Sequence, residues 1–412
     1  MKVLFITTQF PYPLDNGGKI GAINGLDLFR DEEVTLLSFS EQPDLIQDGI
    51  SFLSRRFTNL RIVNPIIHDI HIQQKKSKLF KTIIRAYAGK YPYLVVKFWN
   101  KEMLRAIDKA FGNAKFDIVF IDYLNMQCYG DYIKKKYKGR YDLYILKDHN
   151  IEYEITKQMA EKAFFVKKMI LTSIWKKTKR FEIKAIQNAN AVLSVCNENA
   201  EYFRKHNPNS YAMLPAFDIL PSRHNYSLED KDRLLYVGNL SWRPNMEGLT
   251  WFIEKVYPIL KEKKNGITLD VIGSGEENNP FSDVQGIRWH GYVEDISLEY
   301  RSHTVFIVPL WVGSGIRIKI LEAFNNEIAV VSTSVGCSTM KAVGGTHLLI
   351  ADDEEQFANA ILRLLEDNDL CKKICASAKD YFKENFSIES RIAEFKKLLF
   401  LLKEGNLDGY SE

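Results

Sequence analysis

Along the first half of the chain, short apolar runs alternate with segments whose apolar residues recur every three or four positions. Runs of strand length lie at residues 2–7, 34–39, 117–123, 143–147 and 191–196. Several are apolar at nearly every position, which is typical of parallel strands covered on both faces. The amphipathic stretch 151–190 predicts a helix before the last run. We therefore expect the first half to form a parallel sheet flanked by helices.

The same alternation begins again in the second half. Strand-length runs lie at residues 234–237, 268–272, 305–309 and 328–332, and a helical pattern follows each one. The polar, proline-containing stretch 215–232 separates the two series and predicts a linker. A chain of 412 residues is also too long for one ordinary core.

These patterns predict an α/β protein with two doubly wound, Rossmann-like parallel-sheet domains. The expected divisions are residues 1–215 and residues 216–388. A C-terminal helix at about 388–403 is predicted, so that residues 389–412 form a helix and tail that pack on the first domain.

Composition is that of an ordinary globular protein, with 46% hydrophobic and 26% charged residues. The five cysteines are scattered and lack the neighbouring histidines of a zinc site, so they predict reduced thiols. No apolar stretch approaches the roughly 18 residues of a membrane-spanning helix. We expect a cytoplasmic protein without a bound metal ion.

Charge is divided unequally along the sequence. Residues 1–220 contain 34 basic and 23 acidic residues, a net charge of +11, whereas residues 221–412 carry a net charge of −7. The segment 75–109 has ten basic residues against two acidic ones, with aromatic residues between them. Such a segment suits an acidic acceptor or an anionic membrane surface, and the alternative is a solvated helical face. No recognition motif accompanies it, so nucleic acid is not an expected partner.

Glycines follow several of the predicted strands, where doubly wound sheets bind their ligands. Gly17 and Gly18 come after the first run and precede a predicted helix, whose free N–H groups can approach a phosphate or a sugar. Gly238, with Asn239 beside it, and Gly273 come directly after two strands of the second half. All five are candidate donor-binding residues.

A fourth glycine-containing turn follows the strand at 305–309. A helix is expected to begin near Gly315 and Ile316, so that Ser314, Gly315 and Ile316 present free N–H groups at its start. Such a helix start is a suitable site for a phosphate group.

Three charged residues follow this turn. Arg317 and Lys319 would place two cations in the first turn of the helix, where the helix dipole favours anions. A bound pyrophosphate would remove this conflict, because it would pair with both cations. Glu322, about one turn beyond Ile318, could accept hydrogen bonds from both ribose hydroxyls.

The second half also contains a recognisable series of motifs. In chain order these are VGNLSWRPNMEGLTWF, VIGSGEE, WHGYVEDI, VPLWVGSGIRIKILEAF, VVST and LLIADDEEQFANAILRLLED. The series, over residues 232–390, resembles the carboxyl-terminal half of family 4 glycosyltransferases, which have the GT-B fold. In the first half, the glycine pair and DHNIEYE, which contains His149, agree with it. The resemblance implies metal-independent enzymes that retain anomeric configuration, hold a nucleotide-diphosphate sugar between two domains and need no cofactor.

The resemblance also implies roles for individual residues. Glu322 matches the second glutamate of the family's E-x7-E motif, which holds the ribose, whereas Ser314 stands where the first glutamate is expected. Arg317 and Lys319 resemble the subset with the pattern GSGxRxKxLEA. They would replace, at the pyrophosphate, an arginine and a lysine that the family usually has after the first strand of this domain.

Two further positions take their expected roles from the family. Tyr292 and Val293 match the segment whose backbone meets the base, and His149 is the candidate for contact with the transferred sugar. No side-chain nucleophile is evident, so Arg317, Lys319 and the amides of the 17–18 pair would stabilise the departing diphosphate.

The predicted function is that of a retaining hexosyltransferase in surface polysaccharide or glycoconjugate synthesis. Its expected partners are a nucleotide sugar, a glycan, lipid-linked or protein acceptor, and an anionic surface at the inner face of the cell membrane. Three alternatives remain open: a GT-B sugar-nucleotide epimerase, a phosphorylase, and a non-catalytic GT-B partner subunit.

Overall fold

The computed structural model describes residues 1–14, 17–68, 82, 86–87, 89–161, 165–221, 232–275, 281–291, 293, 296–312, 317–338 and 340–404. The chain divides into two compact units. The first comprises Met1–Ala216 with the C-terminal residues from Arg391, and the second comprises Phe217–Ser390. Each unit is built on its own parallel sheet, which confirms the predicted fold class of two parallel-sheet α/β domains.

The sheet of the first unit has eight described strands, all parallel to their neighbours. They are β1 Lys2–Thr7, β2 Glu33–Ser40, β3 Leu60–Ile62, β4 Ile66–Ile67, β5 Phe116–Asp122, β6 Tyr141–Asp148, β7 Ala191–Ser194 and β8 Ser210–Ala212. Their order is β3-β2-β1-β5-β6-β7-β8, with β4 paired to β2. The winding direction reverses between β1 and β5, so the carboxyl ends of these two strands mark the switch point, where such sheets bind ligands.

Helices cover both faces of this sheet. Those described are Gly17–Asp27, Ile46–Arg56, Tyr93–Val96, Lys101–Phe111, Gln127–Lys136, Glu152–Glu161, Phe165–Gln187, Asn197–Arg204 and most of Ile388–Glu404. Phe5 on β1 stacks on Phe120 of β5 at 4.9 Å, and Phe29 meets Phe120 edge-on at 5.2 Å. Phe395 packs edge-on against Phe29 at 5.1 Å, so the C-terminal helix shares this core.

The second unit repeats the plan with six described parallel strands. They are β9 Arg233–Val237, β10 Thr268–Ile272, β11 Ile287–Trp289, β12 Val305–Val308, β13 Ala329–Ser332 and β14 Leu349–Ile350. The order is β11-β10-β9-β12-β13-β14, which places the switch point between β9 and β12.

The helices of the second unit surround this sheet. They are Arg243–Trp251, Tyr257–Lys263, Ile296–Ser302, Ile318–Asn325, Ser334–Cys337, Glu354–Glu366 and Asn368–Phe386, and a π-helical segment, Phe252–Val256, joins the first two. The first of these helices lies close to the turn after β12, because a Cβ on Gly248 would come within 1.9 Å of the Pro309 carbonyl oxygen. Lys379 is buried, and its Nζ donates to the carbonyls of Leu220 and Asn325, which ties the last of these helices to two other segments.

The structure corrects several details of the sequence analysis. All nine predicted strands are present, with ends shifted by at most two residues. The single helix expected over 151–190 is described as two, Glu152–Glu161 and Phe165–Gln187. Gly17 and Gly18 are the first residues of a helix and do not form a turn before it. β3, β4, β8, β11 and β14 have two or three residues each, which is too short a pattern to predict.

Candidate functional site

Two of the predicted glycine turns meet at the carboxyl ends of the neighbouring strands β9 and β10. Gly238 follows β9, and Gly273 follows β10 with a φ of 147°. A Cβ on Gly273 would lie 1.9 Å from the carbonyl oxygen of Gly238, and one on Gly238 would lie 2.9 Å from Nδ2 of Asn245. A side chain on Gly273 would therefore separate the two backbones, and one on Gly238 would displace the Asn245 amide.

Asn239 and Asn245 hold this turn in place. Oδ1 of Asn239 accepts a hydrogen bond from the backbone N–H of Ser241 at 2.9 Å. Nδ2 of Asn245, which is buried, donates to the Asn239 carbonyl at 2.9 Å. Asn239 therefore supports the shape of the turn, while its predicted contact with a donor remains a prediction.

Lys319 lies at the same end of the sheet. Its Nζ donates to the carbonyl of Val237, the last residue of β9, at 3.0 Å and to Oδ1 of Asn245 at 3.2 Å. The ammonium also lies 5.1 Å from the ring centre of Tyr236. Burial, reinforced by the charge of Arg317, lowers the pKa of Lys319 to about 8. Folding thus places a partly desolvated cation at the position where doubly wound sheets bind ligands.

Arg317 is the N-cap residue of the helix Ile318–Asn325, with φ −86° and ψ 87°. The helix therefore begins two to three residues later than expected, because Arg317 itself has a non-helical backbone. The side chain is 8% exposed, and burial lowers the pKa of its guanidinium. An arginine keeps its charge even so, since its ordinary pKa is above about 12.

Glu322 lies on the same helix as Lys319, three residues further on. The buried Tyr300 hydroxyl lies 3.3 Å from Oε2 of Glu322 and donates to it. Burial raises the pKa of Glu322, while the Tyr300 hydrogen bond and the Lys319 charge oppose the rise. The carboxylate and the ammonium are thus presented by one short helix.

Not all of the predicted donor residues belong to the part of the chain that the structure describes. Tyr292, Ser314, Gly315 and Ile316 lie outside the described residues. Val293 is described and is partly buried. The basic segment 75–109 is described only in part, since residues 75–81, 83–85 and 88 lie outside the description.

The first unit has a second cluster, at its own switch point. Asp122, the last residue of β5, is completely buried. Its Oδ2 accepts a hydrogen bond from the hydroxyl of Thr7, the last residue of β1, at 2.7 Å. Its Oδ1 lies 2.8 Å from Nε2 of His149 and 3.4 Å from Nζ of Lys147. Lys147 also donates to the Gly21 carbonyl at 2.7 Å.

The imidazole of His149 is enclosed on two sides. The Tyr123 ring stacks on it at 3.7 Å with an interplanar angle of 5°, although Tyr123 has a left-handed backbone with φ 77°. A Cβ on Gly21 would lie 2.6 Å from Cε1 of His149 and 2.8 Å from the Tyr123 hydroxyl. Only glycine fits at position 21 while the ring stays in this place. The Tyr123 hydroxyl also donates to the Gly18 carbonyl at 3.2 Å, whereas the space beside Gly17 is open.

Burial and the neighbouring charges together determine the pKa values of Asp122 and His149. Burial opposes ionisation of Asp122, but the charges of Lys147 and His149 and the hydrogen bonds from His149 and Thr7 lower its pKa below the usual value. Burial, and then the Lys147 charge, lowers the pKa of His149 despite Asp122. At neutral pH the arrangement is therefore an ionised Asp122 beside a neutral His149.

Sequence reasoning found His149 but missed the residues that hold it. Asp122 and Lys147 belong to strands that are otherwise almost entirely apolar. Polar residues at the carboxyl end of such strands are the signal that could have found them, because a buried charge needs a partner. Gly21 and Tyr123 carry no such signal, since their roles arise only from tertiary contact.

Two further observations concern metal ions and membranes. In the part of the chain that the structure describes, no group of three or more histidine, cysteine, aspartate or glutamate side chains is arranged to hold a metal ion. Within the same residues, every helix is too short or too polar to cross a bilayer.

Comparison with known proteins gives a family match within the second unit. Residues 231–367 match the family described as Glycosyl transferases group 1. A protein of the cps region of Klebsiella pneumoniae is 24% identical over 406 residues, which is 93% of this chain and 96% of that protein. The O-antigen chain mannosyltransferase B of Escherichia coli is 28% identical over 189 residues, which is 42% of this chain and 48% of the relative.

A solved structure agrees along the whole chain. Anabaena HepE, crystallised with UDP-glucose, superposes with a TM-score of 0.56 and 12% identity, covering 97% of this chain and 99% of HepE. At this identity the likeness establishes the fold alone. Residues 231–367 are therefore similar to the glycosyl transferases group 1 family, and the chain shares with HepE a fold of two parallel-sheet units.

Proposed function

We propose that this chain is a retaining hexosyltransferase that moves a sugar from a nucleotide-diphosphate sugar to an acceptor in surface polysaccharide or glycoconjugate synthesis. The observation that carries the proposal is the position of the Lys319 ammonium, at the carboxyl end of β9 in a group 1 domain. Two relatives support the context, because one is named from a cps region and the other as an O-antigen mannosyltransferase.

In the proposed donor complex, Arg317 and Lys319 bind the diphosphate. Arg317 stands at the start of the helix Ile318–Asn325, whose dipole adds to the positive potential. Glu322 accepts hydrogen bonds from the ribose hydroxyls. As the bond between the anomeric carbon and the diphosphate breaks, negative charge grows on the leaving oxygen, and the two cations stabilise it in place of a metal ion. His149 contacts the transferred sugar.

The donor assignment is tested by binding of nucleoside diphosphates, with UDP, GDP and ADP as probes. Arg317→Ala and Lys319→Ala should each weaken binding by about 1.5–3 kcal/mol, the contribution of a hydrogen bond to a charged group. Lys263→Ala is the matched control, because Lys263 is an exposed cation of the same unit that pairs with Glu355. Unchanged affinity for all three nucleotides in both site variants would reject the assignment.

The reaction class needs a separate experiment. The chain is incubated with a panel of nucleotide sugars and acceptors in the presence of EDTA, and the anomeric configuration of any product is read by NMR. We expect transfer or slow donor hydrolysis with retained configuration and no loss of rate from EDTA. Conversion of one nucleotide sugar into its epimer would instead favour the epimerase alternative. Diphosphate binding without turnover for any donor would favour the non-catalytic subunit.

We also propose that the first unit meets an acceptor on an anionic membrane surface. On the helix Phe165–Gln187, Lys168, Lys176 and Arg180 are exposed beside Met169 and Ile170, which are 75% and 45% exposed. Basic residues near an anionic surface contribute about 1 kcal/mol each, and exposed apolar side chains add to this by entering the lipid interface.

Co-sedimentation with liposomes tests this docking. The chain should bind phosphatidylserine-containing vesicles but not neutral ones, and high salt should release it. Changing Lys168, Lys176 and Arg180 to Gln should abolish sedimentation, whereas Lys263→Gln, which removes an exposed cation of the other unit, should not. Equal sedimentation with both kinds of vesicle, or none with either, would reject the membrane surface.

A further inference from the structure

The hydrogen bond that the structure gives the His149 imidazole is made by one particular nitrogen. Nε2 lies 2.8 Å from Oδ1 of Asp122, and Asp122 is completely buried. Nδ1 is on the side of the ring that faces Gly21. About a tenth of the His149 side chain remains exposed, while its Nε2 is bound to the buried carboxylate.

Two contacts of Asp122 determine where the shared proton lies. Nζ of Lys147 lies 3.4 Å from Oδ1 of Asp122, and the Thr7 hydroxyl donates to Oδ2. A cation and a hydroxyl donor both favour the ionised carboxylate. An ionised carboxylate can only accept hydrogen bonds, so the proton between Asp122 and His149 belongs to Nε2.

The surroundings also prevent the ring from turning over. A flip would exchange Nε2 with Cε1 and place a carbon atom against Oδ1, which would break the hydrogen bond. Tyr123 stacks on the ring at 3.7 Å, and the helix Gly17–Asp27 approaches so closely that even a Cβ on Gly21 would clash with it. The orientation of the imidazole is thus determined from three directions.

We propose that Asp122 is a positioning residue that keeps His149 as the neutral Nε2–H tautomer, so that Nδ1 acts as a hydrogen-bond acceptor for a hydroxyl group of the sugar substrate. The substrate half of this inference rests on the proposed contact between His149 and the transferred sugar. The tautomer half rests on the geometry of the first unit alone.

The Nε2–H tautomer of His149 limits which sugars can bind. A group that only accepts can bind a hydroxyl, which donates, but it cannot bind a fluorine atom or a methoxy group at the same position. It also cannot donate a proton to the departing phosphate. His149 therefore discriminates between sugars by the presence of one hydroxyl, and the charge of the leaving diphosphate remains with Arg317 and Lys319.

The tautomer is read directly by NMR of the full chain with 15N-labelled histidine, without ligand and near neutral pH. His149→Ala assigns the signals. The wild type should show a protonated Nε2 and an unprotonated Nδ1 for His149. In Asp122→Asn the amide can donate to Nε2, so the proton should move to Nδ1 in a large share of molecules. Tyr123→Phe is the matched control, because it keeps the stacked ring and the Asp122 contact and should leave the tautomer unchanged.

The wild-type spectrum alone decides the tautomer, so the test does not depend on Asp122→Asn folding. A protonated Nδ1, or a doubly protonated ring, in the wild type would overturn the inference. If Asp122→Asn folds with the wild-type tautomer, the positioning role of Asp122 is wrong.

Titration with UDP, UDP-glucose and UDP-mannose then separates this inference from the proposed function. A sugar-specific shift of the Nδ1 signal, absent with UDP, supports the contact. In that case Asp122→Asn should reduce turnover of the responding donor by about tenfold while the Kd for UDP changes less than about twofold, as expected for a misplaced partner of one catalytic-site group. The predicted tautomer with no response to either sugar nucleotide would reject the sugar contact while the positioning by Asp122 stands.

Discussion

If Lys319 binds the diphosphate as proposed, its pKa shift predicts how nucleotide binding should depend on pH. In the free chain, burial lowers the pKa of Lys319 from 10.5 to about 8. A bound diphosphate places negative charge beside the ammonium and raises its pKa again. Binding above pH 8 must therefore be accompanied by proton uptake, and the affinity must fall as the pH rises.

The size of the pH effect on UDP affinity follows from the shift in the pKa of Lys319. If the bound diphosphate returns the pKa of Lys319 from about 8 to 10.5, the gain in binding free energy from its protonation is roughly 3 kcal/mol. Affinity for UDP should change little between pH 7 and 7.5 and then weaken by up to about tenfold per pH unit. At pH 8 about half of the free molecules have a neutral Lys319, so about half a proton is taken up per UDP bound.

Isothermal titration in buffers with different ionisation enthalpies measures this uptake. The wild type should show apparent enthalpies that differ between buffers at pH 8 and agree closely at pH 7. Lys319→Arg should remove the pH dependence while retaining binding, because arginine does not titrate in this range. Lys319→Met should remove both.

As the pH rises, the stability of the free chain should change in the direction opposite to its affinity for UDP. A lysine whose folded pKa lies below its unfolded pKa costs stability at neutral pH, and this cost disappears between about pH 8 and 10.5. The wild type should therefore gain stability relative to Lys319→Arg across that range, while its affinity for UDP declines. Equal apparent enthalpies in all buffers, with constant affinity from pH 7 to 9, would refute the reasoning.

Three further predictions concern single side chains. Glu322→Gln should bind UDP more weakly, and the preference of the wild type for UDP over its 2′,3′-dideoxy analogue should shrink; an equal preference in both proteins would show that Glu322 does not hold the ribose. Gly248→Ala should lower the free energy of unfolding by about 1–3 kcal/mol in urea, because its Cβ would overlap the Pro309 carbonyl, whereas Gly17→Ala, with open space, should not. Lys379→Met should lose about 2–3 kcal/mol, because the carbonyls of Leu220 and Asn325 would be left unsatisfied, and an unchanged urea midpoint would contradict this.

The fold could be predicted because its signal is repeated along the chain. Each long strand is buried on both faces and so is apolar at nearly every position, as in the run VLFIT of β1. The short edge strands could not be predicted, because β4 and β14 have two residues each and are defined by their partners. The helix Ile318–Asn325 was predicted to begin two to three residues too early. The arguments from free N–H groups and from the charges of Arg317 and Lys319 apply equally well to neighbouring positions.

The candidate site was predictable where chemistry is visible in the residue type. Arg317, Lys319 and Glu322 could be chosen because charged groups near a strand end point to ligands, whereas His149 was chosen from the family resemblance. Asn245 could not, since an asparagine within a helix has no meaning until Lys319 is seen to bond to it. The same holds for Asp122, which lies 27 residues from His149 in sequence.

The close approach of Gly21 to the His149 ring limits how this pocket can change during evolution. Any side chain at position 21 would collide with the imidazole, so a substitution there becomes tolerable only after the ring has been lost or moved. The two positions should therefore vary together among related sequences, although 127 residues separate them. A relative with alanine or serine at position 21 should lack histidine at position 149, and such a pair would mark a branch whose sugar contact has been rebuilt.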